Sequence, residues 1–212
     1  MTPWFAQAVD PIFLRTFAIL ECIDNNQPVS VATERRELAA LFREADKALA
    51  EDHTWQESKL ALVAWIDEML VKAHEWVGKA DWGENQLQAD ITYTQNAFDL
   101  FYLGAKRVSE EVAADDAVEM FFISVMLGYQ GLYGQGNVAP EMELPATGEE
   151  WFRQFGDLVG EIRARRTEAK ASTRIGRELK TPSPLLTSAF VVWPWTVAVL
   201  LLGLNLLCFL WT

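Results

Sequence analysis

Asp67 and Glu68, with His74 and Glu75 further along, are the side chains in this sequence whose types and spacing could do chemistry. Paired carboxylates beside a histidine can hold a metal ion or share acid–base work. The spacing argues against both. Asp67 and His74 lie on one helical face but about 10 Å apart along its axis, whereas metal-binding helices separate their ligands by three or four residues. His53 has no partner at such a spacing. Two adjacent carboxylates point about 100° apart on a helix, so they do not share one environment. Asp67 is expected to turn inward and accept hydrogen bonds from backbone N–H groups or a Trp indole. Glu68 is expected to stay at the rim of a cleft, adding to an acidic surface that receives a basic partner.

The glycines between Gly128 and Gly136 suggest a phosphate-binding loop. Such a loop needs Lys-Ser or Lys-Thr after its last glycine and a strand before it. Here Asn137-Val138 follows and no strand pattern precedes, so a helix end unwinding into a turn accounts for them. There is no Gly-x-Ser-x-Gly elbow and no Cys–His nucleophile pair. Cys22 and Cys208 fall in different segments and are not expected to pair. The nine tryptophans read as core or interfacial anchors. No catalytic residue, metal or cofactor is expected, and the chain does not read as an enzyme.

Helices must position these residues, because strand patterns are nearly absent and helical spacing recurs throughout. Asp10-Pro11 predicts the N-cap and first position of a helix reaching about Asp24. A second helix is expected over Thr33–Ala50, with Leu38, Leu41, Phe42, Ala45 and Leu49 on one face. Thr54-Trp-Gln-Glu57 fits a capping box opening a third helix, which is expected to run to about Val77 and stop at Gly78. Its stretch Leu60-Ala-Leu-Val-Ala-Trp-Ile66 is apolar all round, which predicts a central place in a bundle. Further helices are expected over Glu84–Tyr93, through Phe98, Phe101, Tyr102, Ala105 and Val108, and from a cap at Asp115 through Phe121 and Phe122. Pro140–Pro145 reads as a loop. Thr147-Gly-Glu-Glu150 is a second capping box, opening a helix with Trp151, Phe155, Leu158, Val159 and Ile162 inward.

Leu185 to Trp211 carries no charged side chain. Ala189–Trp211 spans roughly 35 Å as a helix, against about 30 Å of hydrocarbon. Trp193 and Trp195 stand at one end and Trp211 at the other, where amphipathic rings favour the membrane interfaces. Asn205 lies deep inside, where an amide is expected to hydrogen-bond a neighbouring helix, such as that of a second copy in a homodimer. Arg163–Lys180 holds seven basic and two acidic side chains, an excess that marks the cytoplasmic side and meets anionic lipid head groups. Residues 1–162 keep 28 acidic against 11 basic side chains, a net of −17. Such a body suits basic protein surfaces and excludes nucleic acid, whose phosphates need Lys and Arg. The expected domains are a cytoplasmic helical body over 1–162, a basic neck over 163–184, and a transmembrane anchor over 185–212.

Several stretches come in a telling order: Leu62-Val-Ala-Trp-Ile-Asp-Glu68, then Trp82-Gly83, then an aromatic helix around Phe98–Phe101, then Met126-Leu-Gly-Tyr-Gln-Gly-Leu-Tyr133. With the C-terminal anchor, this order resembles the DotU/TssL (IcmH) family of bacterial type VI and type IVB secretion systems, over nearly the whole chain. Gln130 stands where that family usually has Glu and Leu132 where it usually has Arg. Asn96–Phe101 lacks the family's Gly-Glu. If the family's residues form an internal charge pair, it is missing here and apolar contacts replace it.

The resemblance implies an all-α fold, a cytoplasmic hook-like pair of small helical bundles plus one C-terminal transmembrane helix in the bacterial inner membrane. It implies a scaffold that joins a TssM/IcmF-like inner-membrane protein and docks the baseplate of the secretion machine. Partner-binding residues are then expected at Asp67, Glu68, Trp82, Tyr129 and Gln130. The alternative is a tail-anchored helical groove-binding regulator. Asp81-Trp-Gly-Glu84 resembles the Asn-Trp-Gly-Arg signature of apoptosis regulators, with Glu84 replacing the arginine that would hold a partner's aspartate.

Overall fold

The computed structural model describes residues 1–94, 96–111, 113–136 and 142–178. The anchor expectations, including those for Trp193, Trp195, Asn205 and Trp211, lie outside these residues, as does part of the Pro140–Pro145 loop. Among the described residues no helix is long and apolar enough to cross a membrane. They form α1 (Pro3–Asp24), α2 (Val31–Ala48), α3 (Trp55–Lys72), α4 (Lys79–Glu84), α5 (Leu87–Ile91), α6 (Ala97–Glu110), α7 (Asp115–Met126) and α8 (Gly148–Glu178), with a 3-10 turn at Gly131–Gln135 and no strand. The chain divides into two compact units, Met1–Ala164 and the residues from Arg165 on. The packing described below is that of the first. In the second, the described residues are helical through Glu178.

Helix α3 is the axis of the first unit. Every residue from Ser58 to Asp67 is buried, because α4, α5, α6 and α7 all pack against it. From α1, Phe13 and Phe17 close on Trp65 at ring-centroid distances of 5.1 and 5.7 Å. A helix touched on all sides needs no polar stripe, which is why Leu60–Ile66 has none. Each large apolar side chain buried this way stabilises the fold by about 1.5–3 kcal/mol. Aromatic contacts continue outward through Phe101, which meets Phe121 at 4.9 Å and Tyr129 at 4.0 Å. Helices α1 and α2 pack on each other, and Arg15 ties them by pairing with Glu34 at 2.5 Å and Glu37 at 2.7 Å.

Several helix ends differ from expectation. Helix α1 starts at Pro3, not Pro11, and Pro11 lies within it. Its buried face of Phe5, Val9, Ile12, Phe13, Thr16, Ile19 and Ile23 runs past Pro11 unbroken. Pro11 itself is exposed, so tertiary burial outweighs one lost helical bond. The Thr54 capping box does not form. The Thr54 hydroxyl and backbone N–H both donate to Asp52 at 2.7 and 2.8 Å, while Glu57 pairs with Arg107. Helix α3 ends at Lys72 rather than near Val77. There the Trp76 indole donates to the Leu70 carbonyl and the Lys79 ammonium to that of Ala73, so side chains satisfy carbonyls that a further turn would have used. The helix expected over Glu84–Tyr93 is shorter, α5 alone at Leu87–Ile91, and α4 precedes it across a break at Asn85-Gln86. Asp115 is the first helical residue of α7, with Ala114 at the cap position. At α8 the Thr147 hydroxyl does accept the Glu150 N–H, at 3.1 Å.

Candidate functional site

Near the C-terminal end of α3, the adjacent carboxylates hold two different segments of chain. Asp67 is 3% exposed. Its Oδ1 accepts the Trp82 indole N–H at 2.9 Å and the Leu87 N–H at 2.8 Å, and its Oδ2 accepts the Gln88 N–H at 2.9 Å. Leu87 and Gln88 open α5, whose own cap position, Gln86, makes no side-chain capping bond. Asp67 therefore caps α5 from another helix, answering backbone donors that a helix start leaves open. Its inward orientation agrees with the sequence reading.

Burial pushes the Asp67 carboxyl up to about 6, while the three donors and Arg35 pull it down. Arg35 sits over the Trp82 ring at 5.9 Å and pairs with Asp90 at 2.5 Å. Trp82 is fully buried, gripped between a carboxylate at its edge and a guanidinium on its face.

Glu68 departs from expectation. Its side chain is only 8% exposed, not part of an open acidic rim. Its Oε1 accepts the Gln130 N–H at 2.8 Å and its Oε2 the Gly131 N–H at 2.9 Å. The donors that draw it in stand at the head of the 3-10 turn, more than sixty residues away in sequence. Lys72 completes the arrangement, donating to Glu68 at 2.5 Å and to the Gln130 side-chain oxygen at 2.9 Å. The α3 carboxylates thus form a two-sided clasp, with α5 on one side and the 3-10 turn on the other.

The capping runs one step further. The Gln88 side chain, also buried, accepts the Ala97 N–H that opens α6, at 2.8 Å. No local signal in the sequence marks Gln88 for this role. Lys72 was more legible, four residues after Glu68 on a helix.

Of the five residues expected to bind a partner, Asp67, Trp82 and Tyr129 are buried and only Gln130 is exposed. Tyr129 packs on Phe101, and burial raises its phenol, like that of Tyr102, well above the usual range. Both phenols stay neutral, and Tyr102 donates to the Gln130 carbonyl at 2.9 Å. Beside the clasp lies a cleft of about 300 Å³, lined by Asp67, Glu68, Lys72, Gln86, Phe98 and Gln130 among others. Among the described residues no group of three or more His, Cys, Asp or Glu side chains could hold a metal ion. The clasp carboxylates already accept three N–H donors each, which makes them holders of structure.

Residues 5–212 match the family described as type VI secretion system protein DotU. The chain belongs to the DotU family. No curated protein and no solved structure matches it. As a DotU protein it is a component of a type VI secretion system. Its departures at positions 130 and 132 now have a structural setting. The Gln130 side chain takes one bond from Lys72, and Leu132 is buried.

Proposed function

We propose that this DotU-family chain is a non-catalytic scaffold that docks the cytoplasmic baseplate of a type VI secretion system to the inner membrane, beside a TssM/IcmF-like protein. The observation that carries this reading is the extent of the family match, which takes in the acidic body, the basic neck and the uncharged run to Trp211 alike. In this reading residues 1–162 are a hook-like helical body facing the cytoplasm, 163–184 a neck against anionic lipid, and 185–212 the single anchor. Partners reach the cleft at Gln130, Lys72 and Phe98. Asp67, Trp82 and Tyr129 act from behind, by fixing the shape of that rim. The groove-binding alternative gains nothing, since the tryptophan of its Asp-Trp-Gly-Glu stretch is consumed by Asp67.

The test is chemical cross-linking in intact host cells, followed by purification of the full chain from the membrane fraction. Recovery of the large inner-membrane protein and baseplate proteins supports the scaffold role. So does loss of the baseplate proteins alone when residues 1–162 are deleted. A chain that sits in the membrane, yet recovers neither partner while secretion proceeds normally without it, refutes the reading.

A further inference from the structure

A second surface lies on α1 and α2. Between them runs a groove of about 430 Å³ whose walls are Trp4, Ala8, Pro11, Leu41, Ala45 and Ala48. The three alanines make it: short side chains along both helices leave a furrow where longer ones would interdigitate. Trp4 stands at one end, 50% exposed, and Leu14, 67% exposed, lies one turn beyond Pro11 on α1. From Trp4 to Pro11 is about 10 Å of helix, close to two turns. That is enough for a docked helix to lay down anchors at i, i+3 or i+4, and i+7.

The polar features of the groove all favour a donor-rich occupant. Glu44 is the charged side chain among the residues lining it. Pro11 carries no N–H, so the Gln7 carbonyl, on a residue that also lines the groove, lacks its ordinary helical donor. One turn along from Pro11, Arg15 is held by two carboxylates, Glu34 and Glu37, which leaves that end with a net negative charge. The groove belongs to residues 1–162, whose net charge is −17.

We propose that the α1–α2 groove is a docking site for a basic amphipathic helix of a protein partner. Its apolar face seats between Trp4, Leu41 and Ala48. A Lys or Arg on its flank pairs with Glu44, and a further donor reaches the Gln7 carbonyl. This surface is separate from the clasp and its cleft, and shares no lining residue with them.

The test uses the full chain in phosphatidylcholine nanodiscs and a fluorescent peptide of about 18 residues, five helical turns, built from Leu and Lys in amphipathic order. Anisotropy is read at low and high salt, with a Leu/Glu peptide of the same pattern as the counterpart. Expected are salt-sensitive binding of the Leu/Lys peptide, little binding of the Leu/Glu peptide, and a blue shift of tryptophan emission that is absent in Trp4→Ala. Glu44→Lys and Ala48→Trp should each weaken binding about tenfold or more. Glu84→Lys, the same charge change at an exposed residue of α4, should alter it less than about twofold. Equal losses from Glu44→Lys and Glu84→Lys would mean diffuse charge attraction and overturn the site. Comparable binding of both peptides would overturn its selectivity. A chain that self-associates through this face, shown by sedimentation and abolished by Ala48→Trp, would make the occupant a second copy and defeat the proposal.

Discussion

Replacing Asp67 by Asn tests how a buried carboxylate trades its charge against its donors. The amide carbonyl can keep the two bonds made to Oδ1, from Trp82 and Leu87. The amide NH2 then faces the Gln88 N–H, donor against donor, and one buried N–H left without an acceptor costs about 1–3 kcal/mol. Against that stands the charge itself. The Asp67 carboxyl is raised from 3.8 to about 6 in the folded chain, a shift of roughly two units and about 3 kcal/mol. Because the folded value is the higher one, this stability is fully present below about pH 3.8 and is lost as pH rises through about 6. The Asn variant has no such dependence. It should therefore be less stable than the parent by about 1–3 kcal/mol near pH 4, and close to the parent at pH 7, where removing the buried charge offsets the lost bond. Asp67→Ala, which strips all three donors, should be the less stable of the two variants at every pH. The assay is urea unfolding followed by tryptophan fluorescence, on a chain cut after Lys180, from pH 4 to 7.5. A deficit for Asn of the same size at both ends of that range would show that Asp67 stays ionised throughout. The balance drawn here between burial and donors would then be wrong.

Glu68→Gln should destabilise the same chain by about 1–3 kcal/mol, since the Gln130 and Gly131 N–H groups share one acceptor where they had two; unchanged unfolding would make the clasp incidental. Gly131→Ala should cost more, about 2–4 kcal/mol, because its φ of 50° is left-handed and a Cβ there meets the Tyr129 ring at 2.7 Å. Gly136→Ala, with φ of 76° and nothing near its Cβ, should show only the backbone part, about 1 kcal/mol, and thermal melts should rank the two accordingly. On the proposed reading of residues 185–212 as an anchor, Asn205→Leu should weaken cross-linking between copies, by the loss of an inter-helix amide bond of about 0.6–2 kcal/mol; undiminished cross-linking would leave Asn205 without that role.

What the sequence made legible was periodic and local. The all-round apolar run of Leu60–Ile66 announced the central helix, and the spacing of Phe101, Tyr102, Ala105 and Val108 announced the buried face of α6. The 100° between neighbouring carboxylates foretells two different sets of partners, with Asp67 as the inner one. Signals that depend on a competitor failed. Asp10-Pro11 looked like a helix start because nothing local reveals that Phe5 and Val9 are buried on the same face as Ile12. Thr54 and Glu57 have the spacing of a capping box, but Asp52 and Arg107 compete for them and win. Glu68 lines the cleft as expected, but its burial has no local signal, because its donors come from residues 130 and 131, with no periodicity to link them to α3. Within the candidate site, the carboxylate pair and Trp82 are thus legible in the sequence, while the cap from Gln88 and the burial of Glu68 depend on contacts that only the fold brings together.

Borrowed caps bear on the order in which this protein folds. The starts of α5 and α6 and of the 3-10 turn find acceptors on side chains outside those elements. As a free peptide, α5 has five residues and no capping side chain of its own, far below the roughly 12–15 residues at which an isolated helix becomes even marginal in water. It gains structure only once α3 has brought Asp67 to it, and α6 receives its first-turn acceptor only once Gln88 is in place. Helix α3 is thus expected to form first and to template one neighbour and then the next, an order that φ-values at Asp67 and Gln88 would check. The amide hydrogens of Leu87, Gln88, Ala97, Gln130 and Gly131 should accordingly exchange with solvent together, at the rate of global unfolding, although short segments and turns elsewhere fray on their own.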